Sequence, residues 1–530
     1  MFAPVALICA AIVLVIINSH SGYNIAALLR FSSIGMNKWL LWLFLPIAAV
    51  LSVTIVFNPF DLIASSFVGI VIVLFLLSLY LLLKKQVIDA IGLLLICLPF
   101  ITYSEYEIIN VTEFNSEWIT LKIAIILVFA FFWFLITILY GKRSLVKIRF
   151  NTLILLFIVI TLVSAIFSSN ISYSFSRWLF EIIYPLIFYF IILNSIDNDK
   201  DIKRFMYYFI IGIFLNVTII LYYFLKYGSG MSALDIHFLN IAFADGLLTA
   251  NILLMTIPLV IAFMINADSK IFRLLFFLLL VIGFIGLTLS FGRMAQISMA
   301  IGLLAFGLNK KTRKYVLLFA VIIVLFFVFD SEMIEPYISK YEGLLSFQNV
   351  IHASSMEKRF GGWDAALNMF KDHPLTGVGI GRYIDEYPNY ASQYYAAYAK
   401  HNVSMISAHN MYLNYLAETG VPGFLILVTI FIAIVRRGFH LLKEGKQDYL
   451  FKFSLLISVL VFLINNLVDG ITSAYVKDID KGMVFWSITA MIMSYHTIDK
   501  KNIMALRANS CEKNIRSRND PSNDLRHRDD

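Results

Sequence analysis

Residues 408–437 read AHNMYLNYLAETGVPGFLILVTIFIAIVRR, and this stretch decides the fold class. Its first half is polar, and its second half is a continuous apolar run that ends at Arg436 and Arg437. A helix that crosses a bilayer needs roughly 20 predominantly apolar residues, and its backbone must be hydrogen-bonded within the segment. The stretch therefore predicts a polar segment joined directly to a helical membrane span at 422–436.

The same apolar pattern recurs along the whole chain of 530 residues, of which 60% are hydrophobic and 14% charged. A soluble domain is about 25% charged, and a β-barrel would show alternating polarity. We therefore predict an all-α polytopic membrane protein with about 12–15 transmembrane helices. The apolar runs lie at 3–18, 39–58, 62–83, 87–103, 118–140, 148–168, 178–194, 204–226, 246–265, 271–289, 294–308, 315–330, 422–436, 451–468 and 481–497.

Lysine and arginine are concentrated in alternate loops between these runs and in the last thirty residues. The net charge of +8 therefore follows the positive-inside pattern and gives no reason to expect a nucleic-acid partner. The basic loops are predicted to be cytoplasmic and lie at 84–85, 142–149, 200–204, 270–273, 310–314 and 436–452. We expect a multi-pass protein of the cytoplasmic (inner) membrane, with the long segment 331–421 in the periplasm and the C-terminus in the cytoplasm.

This topology gives the chain five predicted parts. The first two are N-terminal transmembrane spans at 1–140 and a transmembrane core at 141–330. A large extracytoplasmic helical loop at 331–421 carries the candidate functional motifs. C-terminal spans at 422–498 precede a polar tail at 499–530, which we expect to be disordered and close to membrane lipid.

The large loop contains two predicted helices separated by a glycine-rich turn. Residues 356–371 form the first helix, which ends before Pro374, with Phe360, Trp363, Leu367 and Phe370 on one face. The turn, LTGVGIG at 375–381, lacks the strand and helix of a dinucleotide site. Ser407 is the predicted N-cap of the second helix, which Gly420 ends. We therefore expect His409 in the first turn of a helix that leads into the next span, at the membrane surface.

Several basic residues map to the same side of the membrane. Arg293 separates two apolar runs and Arg177 begins another, where an arginine either faces a partner or extends to the headgroups. Arg359 and His409 lie in the large loop. Arginine binds phosphate oxygens in bidentate fashion, and neutral histidine is a suitable general base near pH 7. The chain has no HExxH or CxxC pattern, so we expect neither a metal nor another cofactor.

Three segments resemble the O-antigen ligase / O-antigen polymerase superfamily of bacterial membrane glycosyltransferases. They are LTLSFGRMAQ at 287–296, RFGGWDAALNMFKDHPLTGVGIGRY at 359–383 and AHNMYLNYLAETGVPGF at 408–424. In the last segment, His409 and Asn410 are followed by nine residues, Gly420, two residues and Gly423, as in the ligase signature. One departure is that Gly292 precedes Arg293, where the family usually has serine. The resemblance covers roughly residues 150–470.

The resemblance implies a GT-C-like fold and a metal-independent, inverting glycosyltransferase. The donor would be a glycan linked to undecaprenyl pyrophosphate, and the acceptor a glycan or lipid A-core hydroxyl, with other polysaccharide-assembly proteins as further partners. It implies that Arg293 and Arg359 bind the pyrophosphate and that His409 deprotonates the acceptor. The candidate substrate-binding residues are Arg177, Asn410, Trp363 and Arg382.

The sequence leaves the acceptor open. Lipid A-core would make the protein a ligase, a second carrier-linked repeat a polymerase, and a protein hydroxyl an O-oligosaccharyltransferase. A flippase or transporter of lipid-linked glycans is the alternative from another class, and would carry charges through the mid-membrane of two related halves. A scaffold for polysaccharide assembly would leave the arginine and histidine set unexplained.

Overall fold

The computed structural model describes residues 62–96, 121–141, 145–227, 246–289, 293–310, 312–314, 317, 354–391, 408–444, 448–467 and 482–498. Among these residues the regular structure is helical, and none of them lies in a strand. The helices are α1 (Leu62–Leu83), α2 (Val87–Ile96), α3 (Leu121–Trp133, continued by a π-helix at Phe134–Tyr140), α4 (Arg149–Ile166), α5 (Ile171–Trp178, continued by a π-helix at Leu179–Ile183), α6 (Tyr184–Ser195), α7 (Asp199–Tyr227), α8 (Gly246–Asn266), α9 (Lys270–Leu289), α10 (Arg293–Leu308), α11 (Ser354–Asp372), α12 (Tyr383–Tyr390), α13 (Met411–Lys443), α14 (Tyr449–Asn465) and α15 (482–498).

The fold class is confirmed: the protein is an all-α, polytopic, integral membrane protein. Four helical stretches are long and apolar enough to cross a membrane, namely Arg149–Ile166, Ile171–Ser195, Lys270–Leu287 and Met411–Lys443. The total of about 12–15 spans stays a prediction, because the runs at 3–18, 39–58 and most of 315–330 lie outside the described residues. The tail at 499–530 and Ser407 also lie outside them.

Most apolar runs coincide with helices, but the run predicted at 178–194 begins too late. The helix there starts at Ile171 and includes Ser174, Ser176 and Arg177, which are all buried. The hydropathy pattern placed these polar residues outside the span, because hydropathy does not depend on whether neighbouring helices bury a residue.

Helix α8 lies at the centre of the described bundle, and its residues 250–264 are almost all buried. The Phe263 ring stacks on Phe276 of α9 at 5.4 Å and meets Phe451 of α14 edge-on at 4.8 Å. Near the other end of α8, Asn465 of α14 donates a hydrogen bond to Asn251 at 2.8 Å. A helix that is apolar all round packs as the core of such a bundle.

Helix α13 is two helices joined at a fold-back. Gly420 has φ 65° and ψ −169°, which interrupts the helix between α13a (411–419) and α13b (421–443). The Tyr412 and Phe431 ring centroids lie 6.1 Å apart, whereas in a straight helix 19 residues would separate them by about 29 Å. The two arms therefore form a hairpin. Gly420 ends the short helix as predicted, and the span that follows folds back along it.

The hairpin sets the depth of the segment before it. We call the end of the bundle that carries Gly420 and the C-terminal end of α4 the upper end, since Ser164 of α4 contacts Glu418. Tyr412 packs against Phe431, ten residues beyond the fold-back along α13b, which corresponds to about 15 Å below the upper end. His409 therefore lies well inside the bundle and not at its rim.

Replacing Gly420 with alanine should destabilise this hairpin. A Cβ atom would lie 2.7 Å from the Pro374 carbonyl oxygen and the Leu375 carbonyl carbon, and the backbone conformation is one that residues other than glycine rarely adopt. We expect a cost of about 1–3 kcal/mol, measured as a lower midpoint of thermal unfolding in detergent.

The matched control is Gly283→Ala in α9. Its Cβ would lie 3.3–3.4 Å from the Phe214 and Ile257 side chains, and alanine favours helix over glycine. Equal midpoints for the two variants would contradict the assigned role of Gly420.

Candidate functional site

The glycine turn at 375–381 docks onto the hairpin. Gly377, Gly379 and Gly381 have φ values of 67°, 106° and 74°, so all three are in the left-handed region that favours glycine. Backbone N–H groups of Val378 and Gly379 donate to the carbonyls of Ala417 and Glu418, each at 3.0 Å. The turn is therefore a structural clasp on α13a.

Glu418, at the top of α13a, is only 6% exposed. Its carboxylate accepts the backbone N–H of Tyr383 at 3.2 Å and that of Gly381. Its carbonyl oxygen accepts the Ser164 hydroxyl at 2.6 Å. Glu418 is not among the residues predicted from the sequence, because a glutamate in a polar loop is usually exposed to solvent.

Arg177 lies beside this clasp and is 4% exposed. Its guanidinium forms an ion pair with Glu181, one turn along the same helix. A Cβ atom on Gly381 would lie 2.5 Å from Arg177 Cγ, so the glycine turn covers the arginine side chain. Arg177 is thus charge-compensated within the fold.

Arg382 follows the turn directly and is held by acidic partners. It pairs with Asp385 at 2.5 Å and Glu386 at 3.3 Å, and donates to the Ser169 hydroxyl at 3.2 Å. Burial would raise the pKa of Glu386, but hydrogen bonds from Asn389 and Ser169 and the Arg382 charge hold it below its ordinary value. These contacts join α12 to the start of α5.

Helix α11 packs along α13a through its small residues. The buried face carries Gly362, Ala365, Ala366 and Met369, whereas Leu367 is 40% exposed. The predicted apolar face through Leu367 is therefore not the one buried here, because close helix contact selects small side chains over large ones.

Tyr383 connects α11 to the clasp. Its hydroxyl donates to the Gly362 carbonyl at 2.7 Å, and burial raises the pKa of this tyrosine. A Cβ atom on Gly362 would lie 3.3 Å from the Ala408 Cα atom. The contact brings α11 against the backbone just before His409.

Asn410 is the N-cap of α13a, so the prediction that Ser407 caps this helix and that His409 lies in its first turn is wrong. The Asn410 side chain accepts the N–H groups of Tyr412 and Leu413, each at 3.0 Å. His409 precedes the cap and has a left-handed backbone with φ 48°. The Met411 N–H donates to the Asn466 carbonyl at 3.1 Å, which ties this segment to the end of α14.

Arg359 and Trp363 lie on either side of Gly362 in α11. They lie three residues before and one residue after Gly362, so Arg359 is within one helical turn of the contact with Ala408. Both side chains are half-buried. The Trp363 indole meets Phe360 edge-on at 5.4 Å, and its N–H has no hydrogen-bond partner among the residues that the structure describes.

The packing of α10 on α14 sets the backbone of Arg293 at the same depth in the bundle as the start of α13a. Phe306 contacts Phe453 at 5.1 Å, and a Cβ on Gly302 would lie 2.7 Å from Val461. The two helices are therefore antiparallel, and this register sets Arg293, the first residue of α10, beside the C-terminal end of α14. The predicted break before Arg293 agrees with α9 ending at Leu289.

The predicted site residues thus fall into two groups. The lower group, Arg293, Arg359, Trp363, His409 and Asn410, surrounds the start of α13a and the end of α14. The upper group, Arg177 and Arg382, lies around Glu418. The groups are separated by the nine residues of α13a, which correspond to about 13 Å.

Comparison with known proteins agrees with the motifs. Residues 274–428 match the family described as O-antigen ligase (Wzy_C), and no curated protein matches the chain. This match confirms the resemblance to the O-antigen ligase / O-antigen polymerase superfamily, over a shorter range than 150–470. It includes the entire lower group and Arg382 but not Arg177. The family implies ligase- or polymerase-type activity in polysaccharide assembly.

The two arginines of the upper group should differ in their effect on stability. Arg177→Gln removes the ion pair between the buried Arg177 and Glu181, whose side chain is 11% exposed, and should cost about 3–5 kcal/mol. Arg382→Gln removes pairs with partly exposed carboxylates and should cost about 0–1 kcal/mol. Thermal unfolding of both variants in detergent measures the difference, and a larger loss for Arg382→Gln would refute this assignment.

Proposed function

We propose, from the O-antigen ligase match and the geometry of the lower group, that the protein transfers a glycan from undecaprenyl pyrophosphate to an acceptor hydroxyl. The reaction would take place at the outer face of the cytoplasmic membrane, without a metal ion and with inversion at the anomeric carbon. The Lys- and Arg-rich loops at the opposite end of the bundle support this orientation. The large loop would then be periplasmic and the C-terminus cytoplasmic.

The observation that carries this proposal is the contact between Gly362 and Ala408. It sets the helix of Arg359 against the segment of His409, although fifty residues separate the two in sequence. A left-handed backbone at His409 adds support, because such conformations in residues other than glycine cluster at functional sites.

Arg359 and Arg293 would bind the pyrophosphate. Guanidinium groups stay charged and bind phosphate oxygens in a fork geometry. The negative charge on the leaving group increases as its bond to the sugar breaks, and fixed cations stabilise that change most in a site that excludes water. Trp363, with its indole N–H available, would contact the sugar through its ring and donate to an oxygen.

His409 would act as the general base. The acceptor hydroxyl gives its proton to the imidazole while its oxygen forms a bond to the anomeric carbon. The bond between that carbon and the pyrophosphate oxygen breaks, and its electron pair stays on the pyrophosphate.

We assign structural roles to the other predicted substrate-binding residues Arg177, Arg382 and Asn410. Asn410 fixes His409 by capping α13a. Arg177 and Arg382 support the upper end of the hairpin, because their charges are already matched by protein carboxylates. This assignment revises their predicted contact with substrate. The division into N-terminal spans at 1–140, core at 141–330, loop at 331–421, C-terminal spans at 422–498 and tail at 499–530 remains part of the proposal.

His409→Ala and Arg359→Ala should each abolish polymer transfer. The first variant removes the base and the second removes the counter-charge of the leaving group. The measurement is surface polymer and lipid-linked donor in cells with equal protein levels. We expect the polymer to disappear and the donor to accumulate.

His373→Ala and Lys371→Ala are the matched controls. Both side chains are exposed at the end of α11, and both variants should make normal polymer. Full polymer from both single variants, His409→Ala and Arg359→Ala, would contradict the proposed mechanism.

The acceptor is assigned by deleting the gene and analysing the surface glycan. A surface that carries single repeats identifies a polymerase. A bare lipid A-core with long carrier-linked chains identifies a ligase, and loss of glycan from protein alone identifies an O-oligosaccharyltransferase.

A further inference from the structure

Glu418 is a buried carboxylate for which the proposed chemistry has no use. It lies about 13 Å along α13a from His409, too far to exchange a proton with it directly. Its contacts instead connect three separate parts of the chain. The carboxylate binds backbone N–H groups of Gly381 and Tyr383, and the Glu418 carbonyl binds Ser164 of α4.

These contacts belong to a closed circuit that returns to His409. The Tyr383 N–H donates to the Glu418 side chain at 3.2 Å, and the Tyr383 hydroxyl donates to the Gly362 carbonyl at 2.7 Å. Gly362 packs against the Ala408 backbone. The Ala408 N–H in turn donates to the Asn414 side chain at 3.3 Å, and α13a leads from there back to Glu418.

We infer that Glu418 is a positioning residue, which holds His409 against the Arg359 helix by accepting the N–H groups of the segment that joins α11 to the hairpin. This inference rests on the proposed function for its effect on turnover. Its structural part, the registration of the 408–409 segment on α11, stands on the contacts alone.

In this role Glu418 acts by accepting hydrogen bonds from the N–H groups of Gly381 and Tyr383, which requires a side chain of its length and does not require negative charge. A glutamine keeps the reach and one oxygen with two lone pairs, which can accept both N–H groups. An aspartate keeps the charge but is one methylene shorter, so it cannot reach them from the same backbone position. The two variants therefore separate acceptance from charge.

The structural readout is a disulfide between Gly362→Cys and Ala408→Cys, with Cys9, Cys97 and Cys511 replaced by serine. A Cβ at position 362 lies close to the Ala408 backbone, so oxidation should cross-link the pair rapidly when the segment is registered. We expect rapid cross-linking with Glu418 and with Glu418→Gln, and slow cross-linking with Glu418→Ala and Glu418→Asp. Equal rates in all four backgrounds would overturn the inference, and so would a slow rate in Glu418→Gln.

The kinetic readout uses the same Glu418 variants without the cysteine pair, in purified protein with lipid-linked donor. Displacing a catalytic base by about 1 Å costs on the order of 100-fold in rate, so kcat should fall by about that factor in Glu418→Ala while the donor KM is unchanged. Glu418→Gln should restore kcat. Loss of kcat in Glu418→Ala with normal cross-linking would contradict the inference.

The two proposals fail in distinguishable ways. If His409→Ala remains active, the proposed function falls, while the cross-linking rates still decide whether Glu418 registers the segment. If His409→Ala is inactive but Glu418→Ala cross-links normally, the proposed function stands and the positioning role of Glu418 is refuted.

Discussion

The arrangement of the functional end depends on one backbone reversal, at Gly420. An extended run of apolar residues would otherwise continue α13a straight into α13b and leave His409 at the far tip of a protruding helix. The reversal is secured from outside by the N–H of Val421, which donates to the Pro374 carbonyl at 2.9 Å. Inside the bundle, water is not available to hydrogen-bond the polar backbone groups. Each such bond is therefore costly to break and fixes the backbone conformation of the turn. The depth of His409, the docking of α11 and the burial of Glu418 all follow from this turn.

Much of the fold could be predicted from the sequence because apolar periodicity and length dominate in a bilayer. The run at 62–83 coincides with α1, and the break before Arg293 was recognised from the polar residues between two apolar runs. Gly420 was correctly expected to end a helix, since φ above zero suits glycine. The direction taken after the glycine was not predictable, because it depends on contacts with Pro374 and Ser164, which are distant in sequence.

The residues of the candidate site stay a prediction from the sequence, and the structure adds the geometry of their segments. His409 and Arg359 belong to motifs that the sequence displays, and the structure sets their segments together. Arg177 and Glu418 could not be separated from solvated or substrate-binding residues by sequence alone, because their environment comes from tertiary packing. The same limit applies to α11, where small residues face the hairpin and Leu367 does not. The charges of Arg177 and Arg382 in the upper group are compensated by carboxylates of the protein.

The bond between Met411 and Asn466 has a consequence for the order of assembly. Asn466 follows α14 and is synthesised after the whole hairpin, yet its carbonyl accepts the first N–H of α13a. Asn414 and Glu418 are buried by elements from both earlier and later parts of the chain, so α13a cannot reach its final state while α14 is missing. A nascent chain that stops short of residue 466 therefore lacks the carbonyl that binds the first N–H of α13a, next to the segment that carries His409.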